Sequence, residues 1–237
     1  MMYQSKFAAA AIIVLAGSAA IASPTSRAQS VIAASKQATG GAAWDKLQAA
    51  DEQGTRGDGT QPYRTWLNFQ SYGMRNESHR GAAVMTQGFN GNSVWRRGPD
   101  GKVAVMTDAK ARIEAILTAY ISNNGYYFPR RFPATFKYVR QANEAGRASD
   151  VLEITPTNSR PFEIWFDRNN KQVWRIIDRG DGPPITVEAS DYRPTGGVLV
   201  PYTLTVTGPD GKMIDRAMVK SVTFGPVDTS QFDPPKP

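Results

Sequence analysis

A Ser-His-Asp relay in this chain would have to use His79, the only histidine among 237 residues. Such a relay needs a base that titrates near neutrality and a nucleophile held beside it. His79 stands among Asn76, Glu77, Ser78 and Arg80, a polar run that reads as an exposed turn. No Gly-x-Ser-x-Gly elbow occurs to present a serine. Cysteine is absent, which removes thiol chemistry, disulfides and thiolate-bound zinc. Paired carboxylates remain: Glu163 and Asp167 share a face of one period-two segment, and Asp178 and Glu188 lie on the next two. Two such groups can divide acid and base roles or hold a hard cation, and on a meander they equally make a solvated face. The segment Gly54-Thr55-Arg56-Gly57-Asp58-Gly59 lacks the lysine and the strand-to-helix setting of a phosphate cradle and reads as a loop. No residue is assigned a catalytic or metal-binding role, and no cofactor is implied.

The aromatic residues say more. Trp66, Phe69, Trp95, Phe162 and Phe166 all fall in strand-like runs. Each is either ordinary core or the lining of a cavity. Trp165 points away from Phe162 and Phe166, so both faces of that strand carry rings. The segment from Tyr126 to Pro133 holds Tyr126, Tyr127, Phe128 and Phe132 with Arg130 and Arg131 between two prolines. That composition suits a cavity rim or a loop lying at lipid headgroups, and equally a packed loop.

The elements that must position these residues are mostly strands. Phe162, Ile164 and Phe166 alternate with polar or outward residues, as do Ile185, Val187 and Ala189, and Val198 through Val206. Period-two alternation gives one apolar and one wet face, the pattern of an antiparallel meander. Asn90-Gly91 is a strong hairpin signal. The run Gly-Pro-Asp-Gly-Lys occurs at Gly98 and again at Gly208, where proline presets one turn dihedral and glycine supplies the positive one. A helical pattern covers Val31 to about Gln48. A second helix is capped by Thr107 or Asp108 and stopped by Asn123-Asn124-Gly125, with Ile113, Ile116, Leu117, Tyr120 and Ile121 in one stripe. Such a stripe must lie on the sheet. The fold class is therefore mainly β with helices: a highly curved antiparallel sheet, an unclosed β-barrel of roughly nine to eleven strands, with helical lids on its concave face.

Residues 1–28 read as a cleavable export signal: Lys6, an apolar run from Phe7 to Ala22, then small-x-small sites ending at Ala22 and Ala28. Residues 29–237 then form a single domain, with cleavage after Ala28 the first expectation and after Ala22 the second. The precursor carries 28 basic and 21 acidic residues, and loss of Lys6 and Arg27 lowers the surplus by two. A surplus that small and that scattered does not point to nucleic acid. It suits an anionic membrane surface, an acidic ligand or plain solubility.

Ala38-Thr39-Gly40-Gly41-Ala42-Ala43-Trp44-Asp45-Lys46-Leu47 after the leader, the meander broken by a helix, and the ending Phe232-Asp233-Pro234-Pro235 resemble the periplasmic lipoprotein carrier superfamily, the LolA-like and lipoprotein-sorting proteins. The resemblance implies an unclosed barrel with helical lids and a hydrophobic cavity for acyl chains. An arginine that holds the lid in the carrier has no assigned counterpart here. Similar Gly-Gly-x-x-Trp-Asp segments precede retropepsin-like domains, but Asp228-Thr229-Ser230 has serine where the peptidase needs glycine. The reading is periplasmic, non-catalytic binding of a lipid, lipoprotein acyl group or other amphiphile, with a membrane surface or membrane protein as further partner. Candidate cavity and mouth residues are Trp66, Phe69, Trp95, Ile113, Leu117, Tyr120, Tyr127, Phe128, Arg130, Arg131, Phe162 and Phe166. The alternatives are a periplasmic hydrolase or accessory domain using sheet carboxylates, and an interaction module that pairs through a sheet edge.

Overall fold

The computed structural model describes residues 23–180 and 182–236, so the apolar run of the leader lies outside the described residues. Helix α1 (Pro24–Ala38) and a single turn, α2 (Ala43–Lys46), lead into six strands. These are β1 (Ala49–Arg56), β2 (Gln61–Asn68), β3 (Met74–Arg80), β4 (Ala83–Phe89), β5 (Val94–Arg97) and β6 (Val103–Met106). Helix α3 (Ala109–Ser122) and a short 3-10 turn (Gly125–Tyr127) follow. Seven more strands complete the chain: β7 (Ala134–Glu144), β8 (Arg147–Pro156), β9 (Phe162–Asp167), β10 (Val173–Asp178), β11 (Ile185–Thr195), β12 (Val198–Thr207) and β13 (Met213–Gly225).

All thirteen strands form one sheet in the order β6-β5-β4-β3-β2-β1-β13-β12-β11-β10-β9-β8-β7. Every strand pairs antiparallel with its chain neighbour except β6 with β7, and β1 pairs with β13 instead, Ala49 opposite Gly225. The sheet is a ring opened once. Val94 near one edge and Leu152 near the other belong to a single buried cluster, so the sheet curls around its inner face. The expected nine to eleven strands become thirteen. The additional ones are polar: β1 takes in Gly54, Thr55 and Arg56, read as loop, and β3 takes in His79, read as turn. Gly54 is required in β1 because a Cβ there would stand 2.3 Å from the Met218 carbonyl oxygen.

The hairpin signals hold. Asn90-Gly91 joins β4 to β5, and the repeated Gly-Pro-Asp-Gly-Lys joins β5 to β6 and β12 to β13. Asp108 caps α3 by accepting from the Ala111 N–H at 2.8 Å, which satisfies one of the free donors of its first turn. Helix α1 begins earlier than its apolar pattern suggests. Ser23 caps it and Pro24 sits at its first position, a residue whose fixed φ suits that place. Ala28 is fully buried, and Arg27 lies 3.8 Å over the Tyr138 ring.

The core sits on the inner face at the β7–β10 end. Leu152, Ile154, Phe162, Ile164 and Phe166 meet Ile116, Leu117 and Tyr120 of α3 and the rings after it. Leu117 is 2% exposed. Leu117→Asp should therefore lower stability by several kcal/mol, the cost of an unpaired buried carboxylate, seen as a large drop in the denaturation midpoint.

Candidate functional site

Helix α3 has two unlike flanks. Ile116, Leu117, Ala119 and Tyr120 are buried against the β8–β9 side. At a spacing of three and four residues, Ala111, Ala115, Thr118 and Ser122 face the β3–β5 side, and all four side chains are small. The gap they leave is a groove of two adjoining compartments. One is an apolar slot of about 320 Å³ lined by Met74, Phe89, Val94, Met106, Ala111 and Ala115, with Arg96, Lys110 and Glu114 at its margin. The other is a chamber of about 910 Å³ whose wall includes Thr65, Asn76, Ser78, Gln87, Thr118 and Ser122. Met74, Gln87 and Thr118 line both.

The register explains the change of lining. Thr65, Asn76 and Gln87 lie opposite one another across β2, β3 and β4 on the face that also carries Leu67, Met74 and Phe89. Along that face each strand runs from an apolar residue at one end to polar ones further on. The Asn76 amide donates to Thr65 Oγ1 at 2.8 Å. Arg56 and Asp215, joined at 2.5 Å, close the far end, and exposed Arg80 stands at the rim.

Of the residues singled out in the sequence, Ile113 belongs to α3 but does not line the groove, and its carbonyl accepts from the Ser159 hydroxyl at 2.9 Å. Leu117, Tyr120, Phe162 and Phe166 lie in the core beside the groove. Phe69, Tyr127 and Phe128 are also core, 2%, 5% and 4% exposed. Tyr127 shares a hydrogen bond of 2.8 Å with Ser35 of α1, and its ring is 5.4 Å from that of Trp44. Arg131 donates to the Phe69 carbonyl at 3.2 Å, while Arg130 is exposed. The aromatic loop thus binds the helices to the sheet. Trp66 and Trp95 lie on the outer face. Trp66 is stacked between Arg64 and Arg75, at 4.5 and 4.6 Å, and the Trp95 indole donates to the Phe232 carbonyl at 2.8 Å. The slot residues Met74, Phe89, Val94 and Met106 went unmarked in the sequence. For Met74 and Phe89 the one signal is that they stand two residues from Asn76 and Gln87 on the same face, and Val94 and Met106 lie opposite Phe89 across β5 and β6.

The carboxylates do not converge. Glu163 pairs with Arg140 at 3.1 Å and Glu188 with Arg175 at 2.8 Å, both on the outer face. Asp167 caps the turn after β9 by accepting from the Asn169 N–H at 2.7 Å. Asp178 and Glu114 share Arg160, which ties α3 to the end of β10. Glu52 differs: burial pushes its pKa up, against the opposing effects of the Tyr63 hydroxyl, which donates to it at 2.7 Å, and of Arg56. A carboxyl held above its usual value near 4.5 costs stability as pH rises from that value through the raised one, because the folded state then holds a proton that the unfolded state has lost. Glu52→Gln keeps the acceptor for Tyr63 without the charge. It should raise the denaturation midpoint at pH 7, and the gain should vanish by pH 4.

No helix among the described residues is long and apolar enough to cross a membrane. No protein-family model matches the chain, and no curated protein matches it. Solved structures do. A DUF1329 family protein from Desulfovibrio piger superposes with a TM-score of 0.59 at 11% identity, over 90% of this chain and 98% of that one. A putative outer membrane lipoprotein-sorting protein domain from Vibrio parahaemolyticus gives 0.56 at 12%, over 84% and 93%. A LolA superfamily protein from Nitrosomonas europaea gives 0.55 at 10%, over 87% and 97%. At these identities the likeness concerns the fold, and the chain has the unclosed, helix-covered curved sheet seen in LolA-like structures.

Proposed function

We propose that this protein binds and carries an amphiphile, such as a lipid or a lipoprotein acyl group, in the periplasm and does no chemistry on it. The observation that carries this reading is the slot beneath α3. It is walled by Met74, Phe89, Val94 and Met106 and opens into a larger chamber. Apolar concavities of this size with polar groups at one end are the usual form of a small-molecule site. The shared fold with a putative lipoprotein-sorting domain and a LolA superfamily protein agrees with it. Native mass spectrometry of protein purified from its own periplasm should find a co-purified amphiphile. Ala115→Trp should expel it by filling the slot. Retention of the ligand by that variant, or an empty wild type that takes up no amphiphile in vitro, would overturn the proposal.

Export is part of the same reading, and α1 bears on where the leader ends. Cleavage after Ala28 would remove the Ser23 cap, the stacking of Arg27 on Tyr138 and buried Ala28. Cleavage after Ala22 keeps all three, so the mature chain should begin at Ser23. Intact mass of the exported protein tests this. A mass that includes Lys6 would remove the export reading, and one that starts at Gln29 would move the cleavage site.

A further inference from the structure

The inner face of this sheet holds an anomaly that amphiphile binding alone does not require. Beyond Met74, strand β3 is polar on both faces: Asn76, Ser78 and Arg80 point inward, and Arg75, Glu77 and His79 outward. Thr65 and Gln87 continue the inward polar patch on the neighbouring strands. Across the molecule the same face carries Leu152, Ile154, Phe162 and Ile164, all 2% exposed or less. A cavity meant only for hydrocarbon would be lined like that second half. The polar side chains of the patch are half-buried or exposed and open to the chamber, and Asn76 donates to Thr65 within it.

We infer that the chamber receives the head of the ligand, and that this head is uncharged and polyhydroxylated, of the glycosyl or polyol kind, carried on a single apolar chain. This rests on the amphiphile reading above and narrows it. Three features of the lining support it. The hydroxyls and amides of Thr65, Asn76, Ser78, Gln87, Thr118 and Ser122 both donate and accept, which matches hydroxyl groups, and the one lining charge outside the Arg56–Asp215 pair is Arg80, exposed at the rim. The charged pair at the far end, Arg56 with Asp215, is neutralised internally and tied further by the Gly57 N–H, which donates to Asp215 at 3.2 Å. The slot, about 320 Å³, is roughly a third of the chamber and has room for one chain rather than several.

Matched decyl amphiphiles test this on the full chain. Decyl maltoside, decyl phosphate and decyltrimethylammonium, each kept below its micelle concentration, share one tail and differ in head. Titration calorimetry should give affinity for the maltoside about tenfold or more above that for either ion, since a site built to pair hydroxyls discriminates strongly against heads that leave it unpaired. Asn76→Leu should collapse that ratio towards one. Thr118 is exposed, so Thr118→Leu, which cannot unfold the core, should narrow the ratio in the same direction. Equal affinities for all three heads would overturn the inference and leave the amphiphile reading standing. A preference for the phosphate that disappears in Arg80→Gln would overturn it in favour of an anionic head. Binding of none of the three would overturn the amphiphile reading itself.

Discussion

Strands β6 and β7 follow each other in the chain yet lie at opposite edges of the sheet, so residues 107–133 must cross the whole inner face. Everything on that face follows from this crossing. Antiparallel neighbours can be joined by a tight hairpin, but two edges of a thirteen-stranded sheet cannot. The crossing segment therefore needs length, and its helix and loop bring their own apolar surface with them. Tyr126, Tyr127, Phe128 and Phe132 are each 5% exposed or less, and full burial of such rings contributes about 2 kcal/mol or more apiece. The link that spans the opening is also the stopper that fills it.

The filling is uneven, and the unevenness makes the site. Arg160 and Ser159 hold one flank of α3 to the β8–β9 side, where Tyr120 packs edge-on against Phe162 at 6.0 Å between ring centroids. The other flank carries alanine, threonine and serine and stands off from β3–β5. Close packing is the rule in protein interiors, and here small residues on a helix held from one side leave a volume over a sheet that is apolar under the slot and polar under the chamber. Strength on one flank and space on the other belong to the same arrangement. The outer face is braced separately. Trp165 and Trp174 meet at 5.8 Å, and Arg175 lies over both while it bonds Glu144 and Glu188.

How much of this could be read from the chain depended on whether one face of an element is apolar. The helix α3, its Asp108 cap and its stop at Asn123 were legible because Ile116, Leu117 and Tyr120 recur at helical spacing. The hairpins at Asn90-Gly91, Gly98 and Gly208 were legible because their turn residues are constrained by dihedral angle alone. Strands β1 and β3 were not, since Asp51, Glu52 and Gln53 in one and Asn76 to Arg80 in the other offer no alternation. Strand β3 supplies Asn76, Ser78 and Arg80 to the chamber, so the feature that hid it from a periodicity argument also shapes the candidate site. Rings in a strand do not declare their side. Trp66 is sandwiched by two arginines on the outer face, whereas Leu67 beside it is core.

The pairing of β1 with β13 places the two most distant strands of the chain at the centre of the sheet. Contacts so far apart in sequence carry the largest loop-closure entropy and tend to slow folding. Until residues 213–225 are available, β1 and β12 are both raw edges, and the chain is two smaller sheets, β1–β6 and β7–β12, linked by the crossing segment. Neither has the other's surface to close against, and each exposes unpaired backbone groups of the kind that recruit strands from other molecules. The last strand made is thus the keystone of the first half as well as the second, and the interval before it docks is when this fold is most open to mispairing.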